Sequence, residues 1–259
     1  MTLLAGIGLL LCSLTLVNCH TWIEQLSLVD QDGQPVGDPG FIRGYVPRTT
    51  PGFVDGDNTY LLPQAPALTF QDSDLMCKLT QTQGNQSGGS VLMAPQGSSV
   101  LLRYLENGHI TQPDVPPNKP TPGQVSVYAT TQARDDDKFT AIHGQWTADK
   151  TGGDQRGLLL TSTPFDDGRC FQFDPTGHSE IATTRSNTFG PGPSITEAPN
   201  RWCGTTIELN DETGIPFANG TLLTLYWVWD WPSIVPGNPG TPPAILNETY
   251  TSCMEVEII

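Results

Sequence analysis

Short segments rich in β-branched and aromatic residues recur along the chain, and they constrain its fold more than any other feature. They are residues 22–29, 90–105, 124–130, 157–163, 220–231 and 251–259. The second is broken at Pro95 to Gly97, and clusters of Gly, Pro, Asn and Asp separate the segments from one another. No stretch has the apolar period of a helix. The pattern therefore predicts an all-β protein, an antiparallel β-sandwich with long loops.

Two proline-rich segments interrupt this pattern, residues 111–123 and 187–200. Each is flanked by strand-like sequence of the same character, so both are predicted to be long loops of one sandwich rather than linkers between domains. No internal repeat is present, and the length suits one large domain with a sizeable core. We therefore expect a single domain over residues 20–259.

The N-terminal segment, residues 1–19, is almost wholly apolar up to Val17. It is too short to be a membrane span with its own flanks and polar sequence follows it at once, which is typical of a signal peptide. A buried core helix is the alternative, but no other stretch offers an apolar helix for it to pack on. Cleavage after Cys19 would leave His20 first in a secreted, extracellular protein, and no later segment is apolar enough to span a bilayer.

The cysteine count fits an oxidising compartment. Cys12 and Cys19 lie in the segment to be removed. The four that remain are Cys77, Cys170, Cys203 and Cys253. Four cysteines can form two disulfides in three alternative pairings. Glycosylation sequons, another feature of secreted proteins, occur at Asn85, Asn219 and Asn247.

The formal net charge of -15, with a pI near 4.4, limits the partners of the protein. An acidic protein repels nucleic acid and anionic membrane surfaces, so neither is expected as a partner. A neutral polysaccharide meets no such repulsion.

An N-terminal histidine has a chemical property that no other position offers. Its free α-amine and its own imidazole Nδ1 can chelate one metal ion, and one further imidazole would supply a third nitrogen. A planar set of nitrogen ligands suits Cu(II). With His20 first, His109 is the best second imidazole, because it lies in a glycine-containing turn directly after a strand-like segment. His143, at an apolar strand edge, and His178, in a polar loop, are the alternatives.

Several motifs together resemble those of a known family. They are the histidine start, SDLMCKLT followed by a glycine-rich stretch, RYLENGHITQP, and the ending NETYTSCMEVEI. In this order they resemble the fungal lytic polysaccharide monooxygenases. Those enzymes bind copper with a histidine brace on an immunoglobulin-like β-sandwich and oxidatively cut recalcitrant polysaccharides. The resemblance spans most of the chain through scattered motifs.

The resemblance implies roles for particular residues. His20 and His109 would hold one copper ion, and Tyr250 would be the axial metal ligand. Glu248 would be a catalytic residue with Tyr250, since the family has a residue there that orients the oxygen species. Positions 248 and 250 would share one face of a strand.

The resemblance also implies a disulfide and a substrate surface. Cys77 would pair with Cys253, which leaves Cys170 to pair with Cys203. The irregular segment 40–63 would help to form a flat face around the copper. Its aromatic residues would stack on sugar rings, with core packing of the loop as the alternative. They are Tyr45, Phe53 and Tyr60.

Two features depart from the family pattern. The best-known cellulose-active members carry a histidine in the strand before the terminal motif, whereas this chain has LYWVWDWP. Asp230 or a tryptophan would have to take that role. In addition, the sequon residue Asn247 is next to Glu248, so a glycan there would crowd the site unless Asn247 points away.

The sequence thus predicts a secreted, copper-dependent polysaccharide monooxygenase. We expect a monomer that oxidises cellulose, chitin or hemicellulose and receives electrons from an external donor. One alternative is a secreted histidine-brace protein that binds copper without cleaving polysaccharide. Another is a structural glycoprotein whose histidine start is accidental.

Overall fold

The computed structural model describes residues 20–84, 91–111, 119–192, 199–210, 218–237 and 240–259. Within them two β-sheets contribute side chains to one shared apolar core, so the predicted all-β sandwich is confirmed. The predicted signal peptide, residues 1–19, and the glycosylation candidate Asn85 lie outside these ranges. In the part of the chain that the structure describes, no helix is long and apolar enough to cross a membrane.

The first sheet has four antiparallel strands. They are β1 (Ile23–Val29), β2 (Pro35–Gly40), β5 (Ser99–Tyr104) and β8 (Cys203–Glu208). Their order is β2-β1-β5-β8, and β1 and β5 pair with Leu26 opposite Leu102. Both leucines are fully buried, because alternate residues of these strands face the second sheet.

The second sheet is larger. Its strands are β3 (Leu61–Leu62), β4 (Leu92–Ala94), β6 (Gln124–Thr130), β7 (Gly157–Pro164), β9 (Leu222–Asp230) and β12 (Thr249–Ile258). The order is β3-β12-β9-β6-β7 with antiparallel neighbours, and β4 pairs parallel to β12. A separate two-stranded ribbon consists of β10 (Ser233–Val235) and β11 (Ala244–Leu246).

Strand β9 is buried on both faces, which explains its nearly continuous apolar sequence LLTLYWVWD. Trp227 and Trp229 lie in the core between the sheets. Tyr226 and Val228 point the other way, into a second apolar cluster that includes Trp146. Trp229 near the end of β9 and Trp231, which directly follows the strand, therefore place two large indole side chains at this end of the sandwich.

Two disulfides join loops to strands. Cys77, in the segment after β3, is bonded to Cys253 of β12, with 5.7 Å between the Cα atoms. Cys170, after β7, is bonded to Cys203 at the start of β8, with a Cα separation of 4.7 Å. These are the pairs that the family resemblance implies.

Each of the six predicted segments contains a strand, and the break at Pro95 to Gly97 separates β4 from β5. Other strands were not predicted, among them β2 and β8. Both of these lie at edges of the first sheet. Edge strands are half exposed and tolerate Pro and Gly, so PVGDPG and CGTTIE lack the apolar alternation on which the prediction rested.

Two short helices accompany the strands, although no stretch of the sequence has the apolar period of a helix. Helix α1 spans Phe139–Ile142, and α2 spans Glu180–Phe189. In α2 only Ala182 is buried, so the helix has no apolar stripe to reveal it. Its signal is instead the cap: the Ser179 hydroxyl accepts a hydrogen bond from the Ala182 N–H, and Gly190 ends the helix with a φ of 65°.

Helix α2 also changes the prediction for the second proline-rich segment, because it continues into residues 187–189 of the expected loop. Residues 112–118 of the first segment and 193–198 of the second lie outside the described residues. Of the other sequons, Asn219 is exposed and Asn247 is half-buried.

Candidate metal centre

His20 and His109 are far apart in the sequence but belong to one cluster of rings, because the His20 ring lies near Tyr250, which stacks on Trp229, and Trp229 lies against His109. His20 directly precedes the first strand, and His109 lies in the turn after β5. That turn has left-handed backbone at Asn107 (φ 53°) and Gly108 (φ 81°). The Asn107 side-chain amide donates a hydrogen bond to the His20 carbonyl. This contact ties the turn that carries His109 to the residue His20.

Three imidazole nitrogens at this position are buried and have no hydrogen-bond partner among the described residues. They are Nδ1 of His20 and both ring nitrogens of His109. A buried polar group left unpaired costs about 1–3 kcal/mol, so such atoms in a native protein call for an explanation. Imidazole nitrogen is a good ligand for copper and zinc. The two histidines therefore fit a transition-metal ion, which would give a partner to Nδ1 of His20 and to one of the two ring nitrogens of His109.

His109 is enclosed by aromatic rings. Its ring centre is 4.2 Å from that of Trp231, 4.9 Å from Trp229 and 6.2 Å from Phe165. The two indoles stack on each other at 5.1 Å. Their N–H groups donate to the carbonyls of Pro122 and Thr121, which fixes both rings. Only 5% of His109 is exposed, so these rings hold the imidazole in place and keep water away from it. Trp229 and Trp231 are called the tryptophan box below.

The environment of His109 strongly favours the neutral imidazole. Burial lowers the pKa of His109 to about 3, and the nearby positive charges of Lys119 and His20 lower it further. A neutral imidazole is the form that binds a metal ion. His109 therefore needs no proton release before it can act as a ligand near neutral pH.

Tyr250 and Glu248 border the same site. The Tyr250 ring stacks on Trp229 at 5.1 Å and lies 6.5 Å from the His20 ring. Its hydroxyl donates a 2.7 Å hydrogen bond to Oε1 of Glu248. The other carboxylate oxygen of Glu248 forms an ion pair with Lys119. Thus Glu248 holds the Tyr250 hydroxyl, and Lys119 holds Glu248.

Sequence reasoning missed three charged side chains at or beside the site. Lys119 also donates to the Trp231 carbonyl and lies 3.9 Å from the centre of the Trp231 ring. On the other side, Oδ2 of Asp55 is 3.8 Å from Nδ1 of His20, and Arg48 pairs with Asp55 at 3.6 Å. No local motif marks any of them, because their role depends on contacts between segments distant in the chain.

The alternative histidines lie elsewhere. Nε2 of His143 lies 2.9 Å from Oδ2 of Asp230, and its Nδ1 is hydrogen-bonded to the Tyr128 hydroxyl at 3.0 Å. Asp230 also accepts a hydrogen bond from the Thr249 hydroxyl. Since neighbouring residues of a strand face opposite sides, Asp230 points away from His109, and Trp229 and Trp231 occupy that side instead. His178 is exposed in the loop before α2.

The structure contradicts the predicted sugar-stacking role of Tyr45. It is only 5% exposed and stacks on Phe41 at 4.7 Å, so it packs in the core. Phe53 is half-buried against Trp22, with the Arg48 guanidinium 5.6 Å from its ring centre. Only Tyr60 lines an open groove that includes His20.

Among the described residues, the one group of three or more His, Cys, Asp or Glu side chains whose ligand atoms lie within 4.8 Å of one another is found elsewhere. It consists of Asp167, Cys170 and Cys203. The two sulfur atoms are bonded to each other, so they are not free to bind a metal. The histidine pair is therefore the better candidate for a metal centre.

Fold and site together define an all-β sandwich protein with a two-histidine candidate metal centre at one end. The chain belongs to the family DUF7492, a domain of unknown function, whose model matches residues 17–259. No curated protein matches it. One similar solved structure is a cellulose-active polysaccharide monooxygenase from M. thermophila (MtPMO3*). The two share 12% identity with a TM-score of 0.34, over 93% of this chain and 78% of that chain.

Proposed function

We propose that this chain is a secreted, copper-dependent monooxygenase that oxidatively cleaves a polysaccharide. The observation that supports it most is the pair His20 and His109, held together by Asn107, with three buried ring nitrogens that lack a partner among the described residues. If the chain is processed after Cys19, the α-amine of His20 adds a third nitrogen donor. A set of three nitrogen ligands favours copper among the common metals.

The residues around this pair have distinct tasks in the proposal. His20 and His109 would hold the copper, and Tyr250 would lie beside it. Glu248 orients the Tyr250 hydroxyl through their 2.7 Å hydrogen bond. Bound copper would supply one-electron redox chemistry toward dioxygen or hydrogen peroxide, with electrons from an external donor. Trp229 and Trp231 exclude water behind His109.

The proposal includes extracellular action by a monomer. Two disulfides suit an oxidising compartment, and the net charge of -15 disfavours nucleic acid and anionic membranes as partners. A neutral polysaccharide such as cellulose, chitin or a hemicellulose remains compatible with this charge.

One observation favours a second candidate, a secreted copper-binding protein without polysaccharide cleavage. Oδ2 of Asp55 lies 3.8 Å from Nδ1 of His20. Ligand atoms bind copper or zinc at about 2 Å, so two atoms this far apart can contact the same ion. A carboxylate ligand would add negative charge beside the metal ion and would therefore favour its oxidised form.

A product assay separates the two candidates. Copper-loaded protein that begins at His20 is incubated with cellulose, chitin, xylan and soluble glucans, with and without a reductant such as ascorbate. We expect oxidised oligosaccharides from at least one substrate, only with reductant. The His109→Ala variant, treated in the same way, is expected to release none. Copper binding without any oxidised product would instead establish the second candidate, and no copper binding would overturn both.

A further inference from the structure

An open groove of about 670 Å³ begins at His20. Its walls come from residues 56–64, which include β3, and from the irregular segment 73–80 that follows. Twelve residues line it: His20, Gly56, Thr59, Tyr60, Leu61, Gln64, Ser73, Asp74, Leu75, Lys78, Leu79 and Thr80. The volume lies within the range of about 300–1,000 Å³ that is usual for ligand sites.

The charged side chains of the groove are already bound to other groups. The Lys78 ammonium donates hydrogen bonds to the carbonyls of Gly56 and Asp57. The Asp74 carboxylate accepts the Gln71 N–H at 2.9 Å. Neither charge is therefore held out toward a ligand, and the acidic protein as a whole repels polyanions. A neutral ligand fits these observations better than a charged one.

The remaining lining alternates apolar faces with hydrogen-bonding groups. The half-buried Tyr60 ring lines the groove and offers an apolar face with a hydroxyl at its edge. Leu79 is 78% exposed at the rim. The buried hydroxyl of Thr59 has no partner among the described residues, and Gln64 and Ser73 are exposed. Sugars present the same combination, apolar C–H faces with hydroxyl groups at their edges.

We propose that this groove binds a single, separated chain of a neutral polysaccharide and leads it to His20. The inference rests on the proposed function, because it makes the groove the substrate site of that reaction. It also changes the expected substrate. A flat surface suits the face of a crystal, whereas a chain packed among neighbours in a crystal cannot enter a groove. The groove therefore favours amorphous or soluble glycan over crystalline glycan.

The test uses metal-free protein, so that binding is measured independently of copper chemistry. Isothermal titration is carried out with four probes: cellohexaose, xylohexaose, mannohexaose and the galacturonate hexamer. The variant is Leu79→Ser, and the matched control is Leu68→Ser. Leu68 is 69% exposed on the same side of β3 in sequence but does not line the groove. Both substitutions remove an exposed leucine, so neither disturbs the core.

We expect at least one neutral hexasaccharide to bind, and Leu79→Ser to weaken it at least about fivefold. Leu68→Ser should leave the affinity unchanged, and the galacturonate hexamer should not bind. Equal effects of the two leucine variants, preferred binding of galacturonate, or no binding of any neutral probe would overturn the inference. If oxidised products appeared but none of the probes bound, the groove assignment would fail while the proposed function stood. If a neutral probe bound but no oxidised products appeared, the groove assignment would stand and the proposed function would fail.

Discussion

Lys119 connects two parts of the candidate centre. Its ammonium lies over the Trp231 ring, which packs against His109, and it forms the ion pair with Glu248 that holds the Tyr250 hydroxyl. The side chain is only 8% exposed. Because Lys119 and Glu248 are separated by 129 positions, nothing in the local sequence pairs them. Lys119 therefore acts as a positioning residue, through Glu248, rather than as a metal ligand.

Replacement of Lys119 by methionine should change the copper spectrum more than the copper affinity. Glu248 would lose its ion pair, and the Tyr250 hydroxyl would lose its fixed acceptor. The affinity should stay equal or increase, because a positive charge that opposes the metal is removed. Lys119→Arg keeps a cation and should retain most of the wild-type spectrum. Electron paramagnetic resonance and copper titration of both variants test this, and an unaltered spectrum of Lys119→Met would contradict the positioning role.

At the scale of elements, β12 joins the site to the body of the protein. It pairs with β9 along nearly its whole length and also with β3 and β4. Its first residues carry Tyr250, and Cys253 in its middle is bonded to Cys77. This disulfide joins residues that are 176 positions apart in the sequence, whereas Cys170 and Cys203 are 33 positions apart.

The Cys77–Cys253 disulfide should therefore stabilise the protein more than the other. In the chain-entropy model a cross-link stabilises by restricting the unfolded chain, and the effect grows with the logarithm of the loop length. For these two loops the difference is about 1.5 kcal/mol. Urea unfolding of Cys77→Ala/Cys253→Ala and Cys170→Ala/Cys203→Ala measures it. A larger loss of unfolding free energy in the second variant would contradict this expectation.

Most of the predictable strands are buried between the sheets or on both faces, whereas the edge strand β7 was predictable from its apolar run GLLL. In β6, β9 and β12 nearly every residue is buried, so QVSVYAT and LLTLYWVWD are dense in apolar and β-branched residues. The edge strands β2 and β8 gain their structure from pairing with a neighbour, which leaves little trace in their composition. Helix α2 also leaves little trace in its composition, because it depends on its caps rather than on an apolar stripe.

At the scale of the whole molecule, the fold brings His20 and His109 to one end of the sandwich. The chemistry of an N-terminal histidine suggested the first, and the turn after an apolar strand suggested the second. The tryptophan box, Lys119 and Asp55 could not be predicted, because each contributes through tertiary contacts. The predicted sugar-stacking role of Tyr45 was wrong, because an aromatic residue in an irregular loop can equally be part of the core, as Tyr45 is.

The proposed copper centre depends most on the free amine of His20, so the most direct measurement compares two N-termini. Isothermal titration with Cu(II) at neutral pH is carried out on protein that begins at His20 and on the same protein with one alanine before it. The added residue converts the amine of His20 into an amide, which does not bind metal unless it loses a proton. His109→Ala, which removes the opposing imidazole, and His178→Ala, which removes an exposed one, complete the set.

We expect the protein that begins at His20 to bind one Cu(II) tightly and the alanine-extended form to bind far more weakly. His109→Ala should weaken binding as well, whereas His178→Ala should bind like the unaltered protein. Equal stoichiometry, affinity and copper spectra for the extended and unextended forms would contradict the histidine brace, and with it the proposed monooxygenase.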